Sequence, residues 1–211
     1  MAVMNLIYSL LLAAVLTSWQ SVFAVPKSES AEDTVNNLHT ELVLAMQLPE
    51  ETSVAERIAT LKPVIEASFD FPTIARIILG DLWTTLSNEQ RSVFQDTLQR
   101  LSVATYAGHF SKFSGEKFLV TKVKDKKKST IVDTRLIPLN GNVDDQSISM
   151  RYLLIKKDDR WRIINVIAQG VSDLALKQAE YAYVIKKDGF NSLVSQLNDK
   201  IANLQQTNQI R

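Results

Sequence analysis

The sequence predicts an α+β domain: a four-stranded antiparallel sheet with helices packed on one face. Three observations carry this. Apolar residues recur at helical spacing up to Gly115, the period then falls to two through four consecutive apolar runs, and helical spacing returns after them. Consecutive strands joined by short turns imply an antiparallel meander. Helices before and after such a block argue for helices stacked against one sheet face.

The chain of 211 residues opens with an uncharged apolar run, Leu6 to Leu16. Polar Thr17-Ser18 follows, and then Val22-Phe23-Ala24, with Val22 and Ala24 suited to the specificity positions of a cleavage site. Residues 1–24 therefore read as a secretory signal peptide. The run is short for a bilayer span, which takes about 20 residues. No Lys or Arg precedes it, so an uncleaved membrane anchor is the alternative reading. Residues 25–31 read as a flexible leader and 32–211 as a single domain.

Helical spacing begins with Val35, Leu38, Leu42 and Met46, and resumes after "LPEETS" with Val54, Ile58, Leu61 and Ile65. Pro63 is expected to kink or shorten this second helix. The segment "FDFPTIARIILGDLW" reads as one helix from about Asp70. Ser87 with Gln90 three residues on is a capping-box pattern. The helix it opens carries Phe94, Leu98, Leu101 and Thr105 towards Tyr106, Phe110 and Phe113, with a stop at Gly115. "EKFLVTKVK", "STIVDTRLIPL", "QSISMRYLLIK" and "RWRIINVIAQ" read as the strands. Val171, Leu174, Ala182 and Ile185 mark a further helix stopped at Gly189, and Leu193, Leu197, Ile201 and Leu204 the last one.

The composition excludes several chemistries. A net charge of +1 argues against a general nucleic-acid binder, which needs a basic face to neutralise phosphates. With no cysteine, neither disulfides nor thiolate zinc contribute. The two histidines, His39 and His109, stand far apart, no acidic cluster has ligand spacing, and no metal or cofactor is expected. No Gly-x-Ser-x-Gly, Walker or dinucleotide glycine pattern is present. His109, on an aromatic-rich helix, reads as structural. Lys122, Lys124, Lys126, Lys127 and Lys128 form the strong charge cluster. They read as a solvated hairpin tip, or as a contact for anionic headgroups or an acidic partner, each lysine near such a surface contributing about 1 kcal/mol.

The oily segment poses the functional question. Ile74, Ala75, Ile78 and Leu82 share one helical face, and Ile77 and Leu79 widen it to roughly 200°. Such a helix is surrounded by protein or lines a cavity, and periodicity by itself favours a packed core.

Phe69-Asp70-Phe71, Ala75-Arg76, Leu79-Gly80, Trp83, Gln90-Arg91 and Thr105-Tyr106-Ala107, with Trp161 and Gly170-Val171-Ser172 near the end, form a pattern. It resembles the MlaC or toluene-tolerance family of exported lipid-binding proteins, soluble components of ABC-linked lipid transport across the Gram-negative periplasm. The chain departs from the family pattern at Asn165, where Asp is common, and at Lys177-Gln178, where an arginine is expected nearby. The tail "SDLALKQAEYAYVI…DGFNSLVSQL" looks closer to the hopanoid-associated HpnM branch.

The resemblance implies a periplasmic, monomeric carrier that shuttles phospholipid or a hopanoid-type lipid between inner- and outer-membrane transport complexes without chemistry. It also implies an apolar cavity between sheet and helices, with the headgroup towards solvent. Its expected lining is Ile74, Ile78, Leu79, Leu82, Leu98, Leu101 and Tyr106 on the helices, facing Met150, Tyr152, Leu154, Trp161 and Ile163 on the sheet. Arg76, on the polar strip of the oily segment, reads as a surface or inter-helix ion pair or as the headgroup phosphate contact at the cavity mouth, which guanidinium geometry suits. The alternatives are an enzyme on an apolar substrate, using groups such as Asp70, Asp133 or Tyr152, and an interaction protein with a filled core.

Overall fold

The computed structural model describes residues 30–139 and 147–207. The expected signal peptide and most of the leader lie outside the described residues. Among the described residues, seven helices and five strands follow in the order α1 (Ala31–Met46), α2 (Val54–Ser68), α3 (Phe71–Leu79), α4 (Leu82–Thr85), α5 (Asn88–His109), β1 (Lys117–Lys126), β2 (Ser129–Ile137), β3 (Ile148–Lys157), β4 (Arg160–Ala168), β5 (Val171–Ser172), α6 (Asp173–Asp188) and α7 (Phe190–Thr207). Among the described residues no helix is long and apolar enough to cross a membrane.

The start of α5 is the one the sequence marks, and α1 and α2 open in the same way. Ser30, Ser53 and Ser87 each cap a helix through a reciprocal box, with Asp33, Glu56 and Gln90 as partners. Arginines close the other ends. Buried Arg57 donates to the carbonyls of Ala45 and Pro49 at 2.7 Å beyond α1, and Arg162 donates to Glu66 O at 2.7 Å at the end of α2. Arg91 donates through Nε to Trp83 O at 2.9 Å and lies over the Trp83 ring, tying α5 to α4.

The sheet runs β1-β2-β3-β4-β5, every pair antiparallel. Four strands are the expected meander; the fifth is a two-residue hairpin partner at Val171, a residue the periodicity assigns to a helix. Its brevity leaves no alternation to detect. One face carries Val132, Tyr152, Leu154 and Ile163, all fully buried, and α1 lies across it with contacts to β1, β2, β3 and β4. Thr34 on α1 donates to Trp161 O at 3.3 Å, fixing that helix against β4.

Three boundaries differ from expectation. The oily segment is two helices, not one: α3 ends where Gly80 takes φ 51° and ψ −126°, a conformation a side chain strains, and its N–H closes on Arg76 O at 3.0 Å. Leu82 consequently sits on α4, off the face it was expected to share. We expect Gly80→Ala to lower unfolding stability by about 1–3 kcal/mol in urea titrations, without altering the far-ultraviolet spectrum. The long helix ends with Phe110 as C-cap, short of Phe113 and Gly115. Pro63 sits inside α2 without ending it. On α6 Ala182 faces solvent, and Tyr181 is the buried anchor, set edge-on to Phe94.

Candidate functional site

Between the C-terminal half of α5, the end of β4 and helices α3, α6 and α7 lies a cavity of about 440 Å³. Its floor follows from "FDF". Asp70 caps α3, accepting from Thr73 N at 3.1 Å and Thr73 Oγ1 at 2.8 Å, while its own N–H donates to Ile163 O at 3.0 Å. That pins the segment beside β4, where Phe69 forms a parallel bridge to Ile163. The flanking rings of Phe69 and Phe71, 5.8 Å apart, both face the cavity. Tyr106 meets Phe69 edge-on at 5.7 Å and stacks on Phe110 at 5.7 Å, continuing an aromatic wall. Behind Phe69 and Phe71 a second, polar surface groove of about 470 Å³ is lined by Asp70, Lys157 and Arg162 among others.

The α5 wall is a single helical face: Leu98, Leu101, Ser102, Thr105, Tyr106 and His109. A bulge between Leu153 and Leu154 shifts the β3–β4 register, so that Ile164, Asn165 and Val166 all reach the cavity. Asn165 is held by Ser172 Oγ, to which it donates at 3.0 Å, and it accepts from Leu174 N at 3.4 Å. Polar groups gather on α5, α6 and α7: exposed His109, the Asp173–Lys177 ion pair and Lys200. Among the described residues Lys200 pairs with no carboxylate. Burial, and secondarily the Asp173 carboxylate, raises the Tyr106 pKa above the ordinary phenol value.

Of the residues expected to line a cavity, Ile74, Leu98, Leu101, Tyr106 and Met150 do so. Ile78, Leu79, Leu154 and Ile163 are buried in the packed core, and Leu82 and Trp161 pack against it half-buried. Tyr152 shares the Met150 face but lies under α1, its hydroxyl 3.0 Å from His39 Nε2. Arg76 is exposed and lies outside the cavity lining. Asp70, Asp133 and Tyr152 do not converge. Asp70 pairs with Lys157 at 3.4 Å, Asp133 pairs with Arg151 at 2.5 Å, and Tyr152 is enclosed beside His39. Thr105 and His109, in register with Leu98 and Leu101, are lining residues that the α5 periodicity could have supplied. Lys177, Lys200 and Leu204 depend on how α6 and α7 dock, which no local pattern states.

Comparison with known proteins agrees with this architecture. The phospholipid-binding protein from Ralstonia solanacearum, solved in complex with a phospholipid, superposes with a TM-score of 0.72 at 19% identity, over 83% of this chain and 98% of that one. The intermembrane phospholipid transport system binding protein MlaC of Haemophilus influenzae is 23% identical over 122 residues, 57% of this chain. That match spans about half of the relative's length, 56%. The family profile described as MlaC protein matches residues 36–199, from the first turns of α1 to the middle of α7. The chain therefore belongs to the MlaC family.

Proposed function

We propose that the protein is a periplasmic phospholipid carrier, which takes an acyl chain into this cavity and hands the lipid between membrane-bound transport complexes without chemistry. The observation that carries the reading is the cavity itself: an aromatic and aliphatic interior with its cations gathered on α6 and α7. An engineered cavity of about 150 Å³ holds the six carbons of benzene, so about 440 Å³ holds roughly 18 carbons, one long acyl chain. Each CH₂ taken up contributes about 0.8 kcal/mol, which offsets extraction from a bilayer. Lys200, with Lys177 beside its Asp173 partner, supplies the charge for a headgroup phosphate, the part the sequence offered to Arg76. The names of both relatives are those of phospholipid binders, which supports the ligand class.

Native mass spectrometry of the purified protein, followed by solvent extraction, tests this. A stoichiometric phospholipid is the expected result. A triterpenoid would change the ligand class, and an empty mass with no uptake from labelled vesicles would overturn the carrier. Lys177→Gln combined with Lys200→Gln is expected to slow uptake from phosphatidylglycerol vesicles several-fold while leaving the melting temperature unchanged.

A further inference from the structure

The lysine cluster has no part in the cavity. The strand registers place Lys122, Lys124 and Lys126 on the sheet face opposite α1, since the intervening Val123 and Asp125 pair with inward-facing Val132 and Thr130. Their neighbours across that outer face are Asp133, Ile131 and Ser129, and beyond them Arg151 and Leu153. Among the described residues of the four long strands, Asp133 is the one acidic side chain at an outward register position, and Arg151 already holds it. Lys122, Lys124, Lys126 and Arg151 are exposed, and so is Leu119 on the same face. Lys127 and Lys128 extend the charge around the hairpin turn. A chain of net charge +1 thus gathers an excess of cations on one broad, shallow surface. Neither the cavity nor the polar groove opens on it, and aliphatic Ile131 and Leu153 are interleaved between its charges.

We propose that this outer sheet face docks the protein on an anionic phospholipid bilayer. A row of flexible ammonium groups two residues apart along β1, about 7 Å, matches a fluid layer of phosphates, which needs no fixed partner geometry. Leu119 adds an apolar contact at headgroup depth. Docked this way, the protein keeps α3, α6, α7 and the cavity on the side away from the bilayer, free for a second partner. The docking goes beyond the carrier reading and does not depend on what the cavity holds.

The test is sedimentation of the mature protein, residues 25–211, with vesicles of phosphatidylglycerol and phosphatidylcholine, or of phosphatidylcholine alone, at low and at physiological salt. The wild type is expected to bind the anionic vesicles only, and more weakly as salt rises. Each lysine near an anionic surface is worth about fivefold in partitioning, so Lys122→Gln, Lys124→Gln and Lys126→Gln together should weaken it about a hundredfold. The retained lipid, read by native mass spectrometry, should be unchanged in that variant. A cavity-filling Ser102→Trp protein should still sediment. Equal binding to neutral vesicles, an undiminished triple variant, or loss of binding in Ser102→Trp would each overturn the proposal. So would binding confined to an acidic protein partner.

Discussion

Replacing Ser102 by tryptophan is expected to abolish lipid uptake while leaving the protein folded. Ser102 is half-buried on the cavity face of α5, one residue after Leu101 and one turn before Tyr106, with its hydroxyl donating to Leu98 O at 2.9 Å. An indole there projects into open volume rather than into a packed core, so the usual cost of overpacking, about 1–3 kcal/mol, is largely avoided. On the carrier reading, the same ring would block the cavity between Phe110 and Leu98 to an acyl chain. Uptake from fluorescent vesicles should fall at least about tenfold, which corresponds to losing the burial of only two or so methylenes. A chain that still takes up lipid at the wild-type rate with Trp at this position would place the ligand elsewhere.

Acid should destabilise the protein through His39. Its ring lies buried on α1, stacked on Phe118 at a centroid distance of 4.0 Å. The assignment that satisfies most donors puts the proton on Nε2, donated to the Tyr152 oxygen at 3.0 Å, while the Tyr152 hydroxyl donates to Met150 Sδ at 3.8 Å. Among the described residues Nδ1 is a buried acceptor without a partner. Burial therefore holds the imidazole neutral and depresses its pKa from 6.5 to about 3. The unfolded chain takes up this proton near pH 6.5 and the folded chain does not, so stability falls as the pH drops below that value. At pH 5 the loss from this group is about 2 kcal/mol relative to pH 7. His39→Gln should lose that slope, although it is less stable at pH 7 because it disturbs the Tyr152 contact. Urea titrations of both proteins at pH 7, 6 and 5 read the difference directly. Parallel slopes would assign the acid sensitivity to other groups.

The parts of this structure legible in the sequence are those decided locally. Ser87 with Gln90 defines the start of α5 because a capping box involves four residues. Met150, Tyr152 and Leu154 declare a strand face because alternation is a property of one segment. What α1 and the bulge do to that face is not local. Tyr152 and Met150 point the same way, yet α1 covers one and leaves the other to the cavity. Ile164, Asn165 and Val166 line the cavity together because the β3–β4 register slips, which breaks the alternation a reader would apply to β4. Gly80 is visible as a helix breaker only once its positive φ is known, and that single residue moves Leu82 to a different helix. The family resemblance supplied the cavity, and the docking of α6 and α7 decides which cations border it.

The position of α1 also governs the order in which the chain can assemble. It is made before the sheet on which it rests, and its anchors are distant: His39 meets Tyr152 across 113 residues, and Thr34 meets Trp161 across 127. Closing so long a loop costs entropy before any contact rewards it. The β-meander forms from sequence neighbours, whereas α1 can pack early only on adjacent α2 and meets the sheet across these long loops. Until β4 has been synthesised, α1 has no complete surface to bury Leu38 and Leu42 against. A chain emerging N-terminus first therefore leaves these two contacts of α1 unmade until most of its length exists.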